Sequence, residues 1–245
     1  MKNTILLIGA LVVSACAFSQ QTDSLRRQDS FTGAITVTNN GIAPIPSFTL
    51  GKPAVLFDLA MRRKRLSIEP QLTFSLAGAK PWYVLVWVRY RAIQRRKFTM
   101  GVGFHPSIVF TNPAQPLNGM PPEQLTAVRY FVGELTPTCH LSKKVSLGLY
   151  YLQAHGFSRA ASLTHFLSLT GNVSQIPLGR AVYLRVNPQV YFVAIDQLTG
   201  YYVTSSFTLT SPNLPLALSS IVNQKIKSSI ASDDFLWNIS LTYTY

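Results

Sequence analysis

The sequence has 245 residues, of which 47% are hydrophobic and only 13% are charged, and its formal net charge is +13. The low charge density and high apolar content exclude a disordered chain, and the composition excludes a coiled coil or other long-helix protein. The charge balance comes from 9 acidic residues against 22 basic ones. Because scarce acids set this balance, nucleic acid is not expected as a partner.

The N-terminus predicts export. A lysine at position 2 precedes the apolar segment 5–13, and small residues follow at 15–20 (ACAFSQ). This order is typical of a secretory signal peptide, and the apolar segment is too short for a transmembrane helix. Residues 1–19 are therefore expected to be removed, and residues 20–41 to form a polar tail. The sequence around Cys16 also allows lipidation of that cysteine, which would then become the mature N-terminus.

From about residue 42 onward, apolar and polar residues alternate. Between 238 and 244, for example, every even position is Asn, Ser or Thr and every odd position is aliphatic or aromatic. Alternation of this kind predicts β-strands. Many segments are about 10–13 residues long, longer than globular strands and matched to the roughly 9–11 residues that a tilted strand needs to cross a bilayer.

The polar face of these segments is small and mostly uncharged, as in the lumen of a membrane barrel. A soluble β-sandwich would carry many more charges on its outer faces. The pattern therefore predicts an all-β chain, a single antiparallel transmembrane β-barrel spanning residues 42–245.

The last segment ends on an aromatic residue with apolar residues at every second position before it. These positions are Trp237, Ile239, Leu241, Tyr243 and Tyr245. The pattern resembles the C-terminal insertion signal of Gram-negative outer-membrane β-barrel proteins. This resemblance implies location in the outer membrane, contact with outer-membrane lipid, and recognition of the last strand by the barrel-assembly machinery. With the signal peptide and the strand pattern it covers nearly the whole chain, but it indicates no subfamily.

Turn residues divide the chain into twelve predicted strands. They are 42–50, 54–61, 65–76, 82–93, 97–110, 127–138, 144–154, 163–174, 181–195, 201–210, 214–223 and 234–245. Twelve is even, as bacterial single-chain barrels require, and puts both termini on the periplasmic side. Ten strands follow if 42–61 is not part of the wall. Short turns at 62–64, 94–96, 139–143, 175–180 and 211–213 then share one side, and the longest connection, 111–126, lies on the other.

Parity directs six charged side chains into the lumen. They are Asp58, Glu69, Arg89, Arg91, Glu134 and Arg185. Glu134 faces inward only if 127–138 keeps one register, and Arg129 would then face lipid, so a β-bulge is expected there. In an open lumen these charges would set selectivity, and the excess of arginine would favour anions. In a narrow lumen they would pair and close it.

A His-x-Ser pair, His105 and Ser107, shares one face of a predicted strand. Its spacing resembles the His/Ser arrangement of outer-membrane lipid hydrolases, in which His is the general base and Ser the nucleophile. Parity directs both side chains to the lumen, whereas those enzymes act at the lipid-facing surface, so no catalytic residue is predicted. The remaining histidines have no ligand spacing, and neither a metal nor a cofactor is expected.

Basic clusters at 62–65, 95–97 and 143–144 coincide with predicted periplasmic turns. We interpret them as caps of the strands at the membrane boundary; a cationic rim that contacts phospholipid headgroups is the alternative. Together the patterns predict a small passive channel or porin-like pore for small solutes, anions among them. A closed structural or accessory barrel that binds a partner through its loops, and a lipid-modifying hydrolase, are the alternatives. The sequence does not indicate an oligomeric state.

Overall fold

The structure, a computed structural model, describes residues 30–111, 125–157, 161–179 and 181–245. Twelve antiparallel strands run through these residues, each paired with its neighbours in the chain, and β1 pairs with β12 to close the barrel. The strands are β1 (Ser30–Thr38), β2 (Ala54–Arg63), β3 (Leu66–Ser75), β4 (Pro81–Gln94), β5 (Phe98–Thr111), β6 (Thr126–His140), β7 (Val145–Phe157), β8 (Leu163–Pro177), β9 (Tyr183–Ile195), β10 (Leu198–Thr210), β11 (Leu216–Ser228) and β12 (Phe235–Thr244). Closure leaves no unpaired sheet edge, and the predicted twelve-stranded antiparallel barrel is confirmed. Within the described ranges, no helix is long and apolar enough to span a membrane.

Strand alternation separates an apolar outer face from an inner face of mixed character. Every strand carries at least one exposed large apolar side chain on its outer face. One per strand is Phe31, Phe57, Leu66, Tyr90, Phe104, Phe131, Leu147, Leu169, Val190, Tyr201, Leu218 and Trp237. Exposing so much apolar surface to water is unfavourable by about 25 cal/mol per Å², so this outer face is suited to an apolar environment.

The first strand differs from the prediction. The wall begins with β1 (Ser30–Thr38), inside the segment predicted as a tail, and residues 42–50 form no strand beyond one isolated bridge between Ile42 and Thr49. Proline has no N–H for a sheet ladder, which explains why 42–50, with prolines at 44 and 46, stays outside the wall. The count of twelve holds because β1 takes the place of that segment. The signal peptide and Cys16 lie outside the described residues.

The barrel has two ends, which we name by their connections. The terminal end holds the start of β1, the end of β12 and short turns such as 64–65 and 95–97; the loop end holds the 39–53 and 229–234 connections. The predicted long connection at 111–126 lies mostly outside the described residues. The β9–β10 connection at the loop end consists of only Asp196 and Gln197, so loops at this end are not uniformly long.

The buried core lies inside the barrel, in its loop-end half. It is built from inward-facing side chains of β4 and of β6 to β10, together with Ile230. The cluster comprises Tyr83, Leu85, Trp87, Val132, Leu152, Ala154, Phe166, Tyr191, Val193, Tyr202 and Ile230. Polar and charged residues line the terminal-end half of the same strands, so the interior changes character along the barrel axis.

Candidate functional site

Aromatic rings fill the loop-end half of the lumen; we call this set (Tyr83, Trp87, Phe166, Tyr191 and Tyr202) the aromatic layer. Tyr191 stacks on Tyr202 with ring centroids 5.0 Å apart and contacts Phe166 at 5.2 Å. The Tyr191 hydroxyl donates a hydrogen bond of 2.8 Å to an asparagine of β11, and that of Tyr202 lies 2.7 Å from a serine hydroxyl. The buried hydroxyls of both tyrosines thus have hydrogen-bond partners, which hold these two rings in place.

The whole circumference of the barrel contributes to this closure. Each of the twelve strands supplies an inward side chain that is at most 6% exposed. One per strand is Thr38, Ala54, Thr73, Leu85, Ser107, Val132, Leu152, Phe166, Tyr191, Tyr202, Asn223 and Asn238. In a water-filled pore such side chains would be exposed to solvent. The described residues therefore close the lumen at this level.

The β1–β2 connection, residues 39–53, folds into the lumen; we call it the inserted segment. Its Ile45 and Phe48 pack against the core cluster, and Ser47 is buried. The segment doubles back on itself, because the N–H of Leu50 donates to the carbonyl of Gly41 at 2.8 Å. It thus closes the loop-end half from the centre while the wall side chains close it from the sides.

Below the aromatic layer lies a charge cluster that joins β2, β3, β4, β6 and β7. Glu134 accepts bonds of 2.6 and 3.2 Å from Nε and Nη2 of Arg89, and a bond of 2.9 Å from the Tyr150 hydroxyl. Glu69 contacts Nη1 of Arg89, accepts a bond from a serine hydroxyl at 2.8 Å, and lies 3.6 Å from the Arg62 guanidinium. The two arginines and two glutamates give the cluster no net charge, and each charge has a partner of opposite sign, as charges removed from water require.

Aromatic rings also contact this cluster. The Arg89 guanidinium lies 4.1 Å from the centre of the Trp87 ring, a cation–π contact. The Trp87 ring in turn packs against His105 at 3.9 Å. The charge cluster and the aromatic layer therefore share a boundary, and a change in one acts directly on the other.

Three of the six predicted lumen charges come together, namely Glu69, Arg89 and Glu134. Arg91 lines the cavity next to them, and Asp58 lies on β2 opposite Gln71 of β3. Arg185 lies on β9, near the terminal end of the lumen and away from the cluster. Parity predicts the face of each of these side chains, but it does not indicate which of them meet.

The prediction of a β-bulge near Arg129 is wrong. The β5–β6 register is continuous from Phe98–Cys139 to Thr111–Thr126, so Glu134 points inward and Arg129 outward with no shift. Arg129 lies three residues from the start of β6, where an outward arginine is tolerated because its cost falls steeply toward the membrane boundary.

Sequence reasoning missed two members of the charge cluster. Arg62 was interpreted as a strand cap within a basic cluster, yet it lies opposite Ser67 in the β2–β3 register and points inward. Because Arg62 and Asp58 are both at even positions of β2, the alternation would have indicated this. Tyr150 has the inward parity of β7, but an inward tyrosine carries no sequence signal for a carboxylate partner.

A cavity of about 460 Å³ occupies the terminal-end half of the lumen. Its lining includes Arg62, Arg91 and the charge cluster, and it reaches the strand ends at Gln94 and Thr99. A second cavity of about 470 Å³ lies beside Arg185 and the 211–213 turn. The interior is thus accessible from the terminal end and closed at the loop end.

His105 and Ser107 lie inside the barrel, as parity predicted, and are 3% and 4% exposed. His105 packs on Trp87, and its Nδ1 lies 3.3 Å from the carbonyl of Pro106. The pair therefore faces the closed half of the lumen. No group of three or more His, Cys, Asp and Glu side chains in the described part of the chain could hold a metal ion.

The C-terminal aromatic and aliphatic residues lie along the seam where the barrel closes. All five point outward, between 46% and 57% exposed. Tyr245 continues the pairing of β12 with β1 through two backbone hydrogen bonds to Gly33, of 3.0 and 3.1 Å. A Cβ atom at Gly33 would lie 2.3 Å from the Tyr245 ring, so glycine is required for this contact. Their role as an insertion signal stays a prediction.

Comparison with known proteins identifies the fold. No family model and no curated protein matches the chain. Among solved structures, a KdgM porin aligns with a TM-score of 0.57 and 8% identity, covering 87% of this chain and 99% of that one. The COG4313 outer membrane channel from Pseudomonas putida F1 aligns with a TM-score of 0.51 and 11% identity, covering 92% of this chain and 99% of that one. LpxR from Salmonella typhimurium aligns with a TM-score of 0.50 and 9% identity, covering 87% of this chain and 99% of that one. The chain thus has the fold of outer-membrane β-barrel proteins.

Proposed function

We propose that this protein is an outer-membrane channel whose path is closed on the external side by the inserted segment and the aromatic layer, and open to the periplasm as a polar cavity. The observation that carries the proposal is the contrast between the two halves of the lumen. One half has a buried inward side chain from every strand, and the other contains cavities lined by charged and polar groups.

The outer face supports a membrane location. Exposed apolar side chains on all twelve strands are what a barrel presents to lipid, and closure of the sheet leaves no unpaired backbone in the hydrocarbon. In such barrels the termini and the short turns face the periplasm, so the terminal end is periplasmic and the loop end external. Apart from Arg62, which points into the lumen, the basic residues at the 62–65, 95–97 and 143–144 turns then lie at the level of periplasmic headgroups.

The charges favour anionic solutes. Glu69 and Glu134 are neutralised by Arg62 and Arg89. Arg91 and Arg185 line the cavities, and neither has a carboxylate within ion-pair distance in the described ranges. An excess of cationic groups in a pore attracts anions, so a path that opened through these cavities would be anion-selective.

Single-channel recording of the refolded chain in planar bilayers tests the proposal. The sharpest variant replaces 42–49 with Asn-Gly, which makes a tight turn between Gly41 and Leu50, already joined by a hydrogen bond. We expect the native chain to be silent or to open rarely, and the variant to give steady, anion-selective steps. A matched control replaces 77–79, in an exposed loop at the same end, and should behave as the native chain.

A permanently closed accessory barrel is the second candidate. The observation that favours it is the balanced charge cluster, which leaves little unpaired charge at mid-lumen. If the 42–49 variant folds and remains silent, even after the two stacked tyrosines of the aromatic layer are changed to alanine, the channel proposal fails and this candidate replaces it. Steady large steps from the native chain would contradict both.

A further inference from the structure

Polar side chains cluster on the largely apolar outer face near the loop end of β7 and β8. Tyr151, Gln153 and His155 point outward from β7 and His165 points outward from β8, while the residues between them on β7, Leu152 and Ala154, are buried inside. We call these four residues the outer polar patch. Polar groups on a lipid-facing surface are unfavourable, so a cluster of four calls for a partner.

The strand register brings the patch together. Gln153 lies directly opposite His165 on one side and Gly133 of β6 on the other. His155 is diagonal to His165, at a separation of about 7–8 Å that long side chains can bridge. The outward Arg129 of β6 is diagonal to His155 in the same way. The guanidinium of Arg129 and the imidazoles of His155 and His165 therefore lie along one diagonal, and the Gln153 amide lies beside it, opposite His165.

The geometry of the patch leaves donors free to bind a ligand. The Tyr151 hydroxyl lies 2.9 Å from Nδ1 of His165, and their rings stack with centroids 6.1 Å apart, which fixes the imidazole. Nε2 of His165 has no partner among the described residues. Gln153 and His155 are exposed, and the amide of Gln153 has only a long contact, 3.4 Å, with the Tyr151 hydroxyl.

A groove of about 440 Å³ adjoins these donors, with Phe131, Leu135 and Tyr151 along its sides. Gly133 forms its floor, because a Cβ atom there would meet no neighbouring atom closer than 4.0 Å. The groove is apolar at one side and polar at the other. This combination fits a molecule with an anionic head and a hydrocarbon tail.

We propose that the outer polar patch binds the phosphate of a membrane lipid in the leaflet at the loop end, with one acyl chain lying over Gly133. The depth of the patch in the membrane agrees with this proposal. His155 is two residues from the end of β7, which is about 7 Å along the strand and close to headgroup level. Arginine, imidazole and amide N–H groups are the donors that phosphate oxygens accept. This inference rests on the proposed membrane location but not on conduction.

Native mass spectrometry of the detergent-purified full chain tests the site. The probes are phosphatidylglycerol and the phosphate-free monogalactosyl diacylglycerol, which have the same two acyl chains. We expect the native chain to retain phosphatidylglycerol about tenfold or more over the galactolipid, and H155L/H165L/Q153L to lose that preference, since several hydrogen bonds to a charged group are removed. G133L should lower the retention of both lipids by filling the groove.

The matched control is Q224L, which removes an exposed outward glutamine of β11, four strands from β7, and should bind as the native chain does. Equal retention of the two lipids by the native chain, or an undiminished preference in the triple variant, would overturn the site. Heat-modifiable gel mobility of the same samples separates this result from failure of the proposed function. A folded barrel without lipid preference overturns only the site, whereas a chain that forms no barrel in detergent overturns the membrane proposal itself.

Discussion

Breaking the charge cluster should destabilise the barrel strongly. Glu134→Leu removes the acceptor of two bonds from Arg89 and one from Tyr150. Loss of one partner of a buried ion pair costs about 3–5 kcal/mol. Because Arg89 keeps Glu69 and its side chain is 31% exposed to the cavity, we expect the lower end, about 3 kcal/mol. Urea unfolding of the refolded barrel in lipid vesicles, followed by far-UV circular dichroism, measures this free energy.

Arg89→Met should cost more, about 4–5 kcal/mol, because it leaves Glu134 and Glu69 facing each other without their shared cation. The double variant R89M/E134L should be milder than the sum of the two, since it removes both members of the pair and Glu69 keeps Arg62. Arg185→Met is the matched control, a lumen arginine outside the cluster, and should cost less than about 1 kcal/mol. Additive effects in the double variant, or a Glu134→Leu effect no larger than that control, would refute the reasoning.

Three further predictions concern other parts of the barrel. Tyr191→Phe should lower the unfolding free energy by about 1–3 kcal/mol by leaving a buried asparagine oxygen without its donor, measured by the same urea titration. Gly33→Val should reduce the yield of folded barrel on a heat-modifiability gel, because the new Cβ overlaps the Tyr245 ring, whereas Gly133→Val should not. The pKa of Asp196 is lowered by hydrogen bonds from a serine hydroxyl and a backbone N–H. The hydrogen bonds from the start of β8 to the Asp196 carboxylate should therefore persist at any pH above the ordinary carboxyl pKa. They should be lost only when the pH falls below that value and the carboxylate is protonated. Amide exchange at the start of β8, measured as a function of pH, would detect the loss.

The wall of the barrel could be predicted from sequence because its physics is local. Alternation at period two assigns each residue of a regular strand to one face, and eleven of the twelve predicted strands are found in the wall. The wrong prediction of the first strand shows where alternation alone is not sufficient. Residues 42–50 carry an alternating pattern, but their prolines prevent ladder formation, and the same apolar residues pack inside the lumen instead.

The state of the lumen could not be predicted, because it depends on contacts distant in the chain. Glu134 meets Arg89 across two strand pairings, at a sequence separation of 45 residues. The inserted segment packs against core residues that lie far from it in the chain. The outer polar patch is likewise created by register, since Gln153, His165 and Gly133 become neighbours through pairings that no single segment encodes.

The most direct test of a lumen closed outside and open to the periplasm is thiol labelling of Arg91→Cys in Gram-negative cells. Arg91 lines the cavity on the terminal side of the charge cluster, and the native chain serves as the labelling blank. With a membrane-impermeant maleimide we expect no labelling in intact cells, labelling after the outer membrane is permeabilised, and labelling of intact cells when 42–49 is replaced by Asn-Gly. Equally fast labelling of Arg91→Cys in intact and permeabilised cells, with the inserted segment in place, would contradict the account.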